Sequence, residues 1–292
     1  MDWADVVSER AFDVTLPANR KVLLSSCSVT KKLGKITIPA SSELIFADEA
    51  IDISVTGIVV FGKLRAGSET CRLQSYSSIT LRGSRPNSVA SADVKGIHVD
   101  GGVLEIHAAE YYHTWSRLAV TAQVGDDYVL LQDAVNWDVG ASVLVTTTQV
   151  KDARDWHQNE VLCVKEVRDA SYLGPGITAV YFDDVLRFGH YGGKEYQAEV
   201  GLLTRRFVIQ GDAADSEPRD QSPLACGNGE IGSYPCGDSF LTGYGGHVMI
   251  EGTAAEGRVS GVEFYRMGQT NFMGRYPLHF HQVKDNGAFL VS

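Results

Sequence analysis

Ile36-Thr-Ile38, Leu44-Ile-Phe46, Ile51-Asp-Ile-Ser-Val55 and Ile58-Val-Val-Phe61 follow one another between Lys35 and Leu64, each a short apolar burst closed by turn residues. Bursts this short and this rich in β-branched side chains are strands, not helices. The rhythm continues through Ser78-Ile-Thr-Leu81, Gly96-Ile-His-Val99, Val103-Leu-Glu-Ile106, Tyr128-Val-Leu-Leu131 and Ser142-Val-Leu-Val-Thr146, and no amphipathic helix stands out. Strands spaced this way suit a sandwich, a barrel or a β-solenoid. The shortest spacings favour the solenoid. A hairpin needs a turn and two strands of similar length, whereas a solenoid rung turns a corner every few residues and stacks in parallel on the next. The 30 glycines suit such corners, because they tolerate positive φ. A sandwich is the alternative.

Working outward, longer loops begin after Trp137: Lys151 to Glu160, Asp183 to Glu195, and the Gly-, Pro- and Asp-rich run from Asp212 to Gly246. The last is too long for a plain connector. Strands then resume with His247-Val-Met-Ile250, Val259-Ser-Gly-Val-Glu-Phe264 and Leu278-His-Phe-His281. The sequence stops inside the apolar segment Gly287-Ala-Phe-Leu-Val-Ser292, which reads as a piece of something longer.

Across 292 residues, 26 Lys+Arg face 36 Asp+Glu, a formal charge of −10. That balance argues against nucleic acid or an anionic membrane as partner, so any polyanion must be met by a local cluster of cations. At 44% hydrophobic and 21% charged, the chain has the composition of a globular protein with a sizeable core. No stretch approaches the roughly 18 apolar residues of a spanning helix. Met1-Asp2-Trp3-Ala4-Asp5 opens with acid where a signal peptide carries base. Membrane contact is therefore expected only through segments outside this sequence.

Cys27, Cys71, Cys163, Cys226 and Cys236 have no zinc-knuckle spacing, and their odd number leaves one thiol unpaired within the chain. Cys226 and Cys236 bracket a glycine-rich loop able to close as a small disulfide; two buried thiols are the alternative. There is no G-x4-G-K-[ST], H-E-x-x-H or G-x-S-x-G, which disfavours nucleotide, zincin and serine-hydrolase chemistry.

Tyr196-Gln-Ala-Glu-Val-Gly-Leu-Leu-Thr-Arg205, Gly245-Gly-His-Val248, Val262-Glu-Phe-Tyr-Arg-Met-Gly-Gln269 and Gly274-Arg-Tyr-Pro-Leu-His-Phe-His281 resemble, in order and interval, the family of hyaluronan-binding and hyaluronidase-like cell-surface proteins. Gly62-Lys-Leu-Arg-Ala-Gly-Ser-Glu-Thr-Cys71 and Gly101-Gly-Val-Leu-Glu-Ile-His107 resemble its eight-glycine (G8) domain, which fibrocystin-like receptors share. The resemblance implies an all-β chain. A G8 domain over 1–125 leads into the first rungs of a right-handed parallel β-helix over 126–292, truncated at its C-terminus. It further implies an extracellular or cell-surface parent that binds or depolymerises hyaluronan or another uronan. The expected partner is a polysaccharide and not nucleic acid, the expected cofactor Ca2+. A non-catalytic glycan- or protein-binding module is the rival reading.

Two positions apart on a strand, His279 and His281 share one face, about 7 Å apart. With His247 they form a candidate three-imidazole metal site. Equally, either is a candidate general acid or base, and stacking on neighbouring rungs is the structural alternative. Arg275, with Tyr276 beside it, suits a uronate carboxylate, which a guanidinium grips with parallel hydrogen bonds; pairing with Glu263 or Asp285 is the alternative. Arg205 is a second candidate for substrate binding, although Glu199 offers it a structural partner. Glu263 and Glu199, both inside family-like stretches, are the candidate catalytic carboxylates, since glycoside cleavage needs at least one acid. Hydrolase and lyase chemistry both remain open at this point. Asp212, Asp215, Glu217 and Asp220 read as a solvated acidic loop without EF-hand spacing, and His107 and His190 as structural.

Overall fold

The computed structural model describes residues 12–26, 32–85, 93–150, 157–214, 216, 243–270 and 272–283, and the backbone of 289–291. The chain forms two compact units, one from Met1–Ala109 with Arg205–Ser292, the other from Glu110–Thr204.

The first unit is a parallel β-helix with three faces. Its first face stacks β1 (Val14–Thr15), β3 (Lys35–Ile38), β6 (Gly57–Val60), β9 (Gly96–Asp100), β18 (His247–Glu251) and β21 (His279–His281). The second stacks β2 (Lys21–Leu24), β4 (Glu43–Phe46), β7 (Lys63–Ala66), β10 (Val103–His107), β19 (Glu256–Ser260) and β22 (Phe289–Val291). The third stacks β5 (Ile51–Val55), β8 (Ser77–Leu81), β17 (Phe207–Gly211) and β20 (Val262–Tyr265). Every neighbouring pair is parallel, and the chain visits the faces in turn, so that β3–β4–β5 and β6–β7–β8 are complete rungs.

Registers align like residues. On the first face Ile36, Ile58, Ile97 and Val248 lie in one column and Ile38, Val60, Val99 and Ile250 in the next, all buried. On the third face Ile53, Ile79 and Ile209 do the same. Each such side chain contributes about 1.5–3 kcal/mol by leaving water. The corners demand unusual backbone. Gly101 (φ 64°) and Gly252 (φ 96°) turn from first to second face, and at the equivalent corner after His281 a non-glycine, Gln282, takes φ 50°. Gly261 (φ 68°) splits the expected strand Val259–Phe264 into β19 and β20; the apolar run continues across this corner, so its pattern hides the turn.

Between third and first face the corners lengthen. Thr56 alone joins β5 to β6, whereas residues 82–95, 212–246 and 266–278 make the later crossings. Three successive excursions thus leave one edge of the solenoid.

The second unit is antiparallel. Its strands β11 (Trp115–Arg117), β12 (Tyr128–Leu131), β13 (Ser142–Val145), β14 (Glu160–Asp169), β15 (Thr178–Phe182) and β16 (Glu199–Leu202) form a sheet in the order β11-β16-β13-β14-β15-β12. A bridge from Leu118 to Leu131 joins its two ends, closing a barrel around Val129, Val143, Val164, Val180, Phe182 and Val200. Tyr128–Leu131 and Ser142–Val145, which fit the solenoid rhythm in sequence, are barrel strands, because spacing carries no information on strand direction. The compact units therefore do not follow the division expected at 125/126. Among the described residues, the β-helix runs from β1 to β10, is left after β10 and is resumed at β17. Among the described residues, no helix is long and apolar enough to cross a membrane.

Candidate functional site

Two of the long corner excursions enclose a cleft of about 390 Å³, whose walls include Arg266, Gln269, Thr270, Arg275, Tyr276 and Ser216. None of the described residues lining it is acidic.

Beneath the cleft lies a buried polar layer. His247, at the start of β18, is wholly buried, with Arg275 Nη1 3.1 Å from its Nε2 and Gln269 Nε2 3.2 Å from its Nδ1. A guanidinium can only donate, so the Nε2 of His247 is an acceptor and its lone pair is committed to Arg275. Gln269 Nε2 donates to Gly245 O. Deeper still, the fully buried Lys95 donates to Gly83 O at 2.9 Å and to Asp212 Oδ1 at 2.7 Å, tying the 82–95 corner to the 212–246 corner. The Lys95 ammonium lies 5.4 Å from the centroid of the buried Tyr244 ring, whose phenol burial pushes above its ordinary value.

Tyr276 links the cleft to the first face. Its ring meets His279 edge-on at 5.0 Å, and His279 meets His281 edge-on at 5.2 Å. His279 Nδ1 donates to Gly274 O at 2.8 Å. Parallel register puts His98, Met249 and His279 in one column over three rungs, and Asp100, Glu251 and His281 in another. His98 Nε2 is 2.5 Å from Glu251 Oε1.

Arg275, Tyr276, His247, His279 and His281 thus gather at one edge, as their spacing suggests. The three-imidazole metal site does not assemble: His247 is buried against Arg275 and Gln269, and the described residues contain no group of three or more metal-binding side chains. Glu263 projects from the third face, away from the histidines on the first. Burial raises its carboxyl above the ordinary carboxylate value, and the Arg205 amide donates to it at 3.3 Å. Glu199 belongs to the barrel, half-exposed, with Arg117 Nε 3.7 Å away. The two expected carboxylates therefore fall in different units, and within its own unit Glu263 stands on a different face from the histidines. Asp212 is no solvated loop residue but the partner of Lys95, while Asp215, Glu217 and Asp220 lie outside the described residues, as do Cys226, Cys236 and their expected disulfide. His107 and His190 are both fully buried, and His190 bridges Thr146 O and Glu160.

Sequence reasoning missed Lys95, His98, Asp100, Glu251 and Gln269. Only His98 and Asp100 carried a hint, standing two apart on a strand as His279 and His281 do; the column itself exists only once the rungs are in register.

The G8 domain family matches residues 3–119, and the CEMIP beta-helix family matches 243–291. A G8 domain-containing protein of Dictyostelium discoideum is 39% identical over 96% of this chain and 17% of its own length. Protein rliB of the same organism is 40% identical over 96% of this chain and 22% of its own length. Fibrocystin-L of Homo sapiens is 29% identical over 86% of this chain and 6% of its own length. The chain thus spans about a fifth of the length of the Dictyostelium relatives. Strand stacking and both matches converge: the chain is similar to the G8-domain proteins, with a stretch that matches the G8 domain and a later one that matches the CEMIP beta-helix on one parallel solenoid.

Proposed function

We propose that this chain is an extracellular or cell-surface recognition module that binds a uronate-containing polysaccharide of the hyaluronan type in the corner cleft. One observation carries the reading. In a chain of net charge −10, the cleft presents Arg266 and Arg275 with no acid among its described lining residues. Guanidinium forks suit a uronate carboxylate, and the half-exposed ring of Tyr276 offers an apolar face to a sugar. Lys95 and Asp212 hold the corner excursions together from below. The CEMIP beta-helix match is consistent with this reading. Depolymerisation of the bound chain is its finer form, and the first-face histidines beside Tyr276 favour it.

The test is retention and size analysis of defined-length hyaluronan and a panel of other uronans, with calcium or with chelator. The expected outcome is retention that falls at least tenfold in Arg275→Ala and weakens with salt. Equal retention of neutral polysaccharide, or undiminished retention by Arg275→Ala, overturns the reading. Loss of retention in chelator assigns a role to Ca2+.

A further inference from the structure

We infer that the barrel carries a sugar site of its own, a notch over Gly201 beside Trp115 that takes a neutral, N-acetylated hexose unit of a glycan. The site lies wholly within the barrel unit and does not rest on the cleft reading.

Register places Trp115 beside Gly201, Gly201 beside Leu144 and Leu144 beside Val161, one residue from each of four neighbouring strands. Ser116, Val143, Val145, Val200 and Leu202 are buried, so the row that alternates with them faces outward. Trp115 is 53% exposed and Val161 62%. Gly201 interrupts this apolar row. Its backbone is not left-handed, and a Cβ placed there would meet nothing within 4 Å. Neither a turn nor close packing therefore asks for glycine at this position. A glycine inside a strand weakens the strand, and one that the fold does not need marks a place where a ligand comes close. Here it opens a gap between the indole and Leu144.

The adjoining row supplies polar groups. Arg117 stands opposite Glu199, with Nε 3.7 Å from Oε1 and about half of each side chain exposed. The Arg117 guanidinium also lies 5.6 Å from the indole centroid. One cation beside one anion balances itself, so this edge complements a ligand rich in hydroxyls and without net charge. The corner cleft differs, having Arg266 and Arg275 and no acid among its described lining residues. A hexose presents an apolar C–H face and a girdle of hydroxyls. The indole takes the first, while Arg117 donates to the second and Glu199 accepts from it. Hydroxyls alone leave Leu144 and Val161 unmatched, whereas the methyl of an acetamido group covers them. That apolar end of the row selects an N-acetylated hexose over a plain one. Glu199 and Gly201 also belong to the family-like stretch Tyr196–Arg205, for which the corner cleft has no use.

The experiment titrates the 292-residue chain with a tetramer of N-acetylglucosamine and, separately, with a tetramer of glucose, by calorimetry. The expected result is one site for the first, with the second at least tenfold weaker. Trp115→Ala weakens binding about tenfold, the scale of one aromatic contact. Gly201→Val fills the notch with a side chain that suits a strand, so binding is lost while the melting temperature holds or rises. That opposite movement separates a ligand site from a structural role. Parent-like binding by Gly201→Val overturns the inference, as does equal affinity for the two tetramers. Concentration-dependent pairing of the parent chain in sedimentation, abolished by Trp115→Ala, also overturns it, because the row then joins two copies. Retention of a uronate-only polymer with no response to the N-acetylglucosamine tetramer overturns the barrel site and leaves the cleft reading standing.

Discussion

In the solenoid, Ile36, Ile58, Ile97 and Val248 stand one above another on the same face, each touching its like on the next rung. In the barrel, Val143 and Val145 alternate with outward residues and meet partners that arrive from strands running the other way. The same contrast governs buried charge. Lys95 and Asp212 belong to two corner excursions of successive rungs, and their 2.7 Å pair holds separate detours together. His190 and Glu160 serve a local purpose: Glu160 on β14 accepts the amides of Arg187 and Phe188 and the His190 ring, and His190 Nδ1 meets Thr146 O. The comparison teaches that both units place buried charge where the regular ladder is interrupted. The solenoid uses it to join distant segments, the barrel to pin one loop.

The largest expected effect tests that difference. Asp212→Asn leaves a fully buried ammonium without its counter-charge and is expected to destabilise the solenoid by about 3–5 kcal/mol. Glu160→Gln keeps an acceptor for one of the two loop amides, and the imidazole has a neutral tautomer, so the barrel is expected to lose only about 1–2 kcal/mol. Hydrogen exchange resolved by segment reads both; equal losses break the comparison.

A smaller effect comes from pH. His107, at the end of β10, is fully buried, and among the described residues neither ring nitrogen has a hydrogen-bond partner. Burial pushes its pKa below the ordinary 6.5, opposed by Glu105 and Glu69 and aided by Arg72 and Arg258. A histidine lowered on folding stabilises the fold above its unfolded value, and that contribution is lost as pH falls through about 6.5. Solenoid segments are therefore expected to lose protection between pH 7 and 5 relative to barrel segments, and His107→Leu to flatten the slope. An unchanged slope in that variant sinks the assignment.

The smallest effect sharpens the account of the corners. Gln282 takes a left-handed backbone where Gly101 and Gly252 stand on earlier rungs. Gln282→Gly is expected to stabilise the solenoid by about 1 kcal/mol, measured by chemical unfolding. No gain there means that contacts of the Gln282 side chain compensate for its backbone.

Much of the fold was legible in sequence. Ile36–Ile38, Ile51–Val55 and Val103–Ile106 are strands as expected, since a short β-branched burst between turn residues has few other options. The corner after Ser260 was hidden because apolar residues continue on both sides of Gly261. The barrel was hidden for a different reason, because antiparallel and parallel strands of equal length share one local pattern. At the site, Arg275, Tyr276, His279 and His281 were legible, being close in sequence and on one strand and its approach. Glu263 misled because strand membership says nothing of which solenoid face a strand occupies.

By itself, the sequence determined an all-β chain of short strands, its glycine corners, its acidic surplus and its likeness to the G8 domain, because these depend on composition and on local pattern and motif. Only the tertiary structure decided that His98 meets Glu251 across 153 positions and Lys95 meets Asp212 across 117. Stacking register, set by the packing of whole rungs and by what each corner detour contains, brings such pairs together, and no local window carries it.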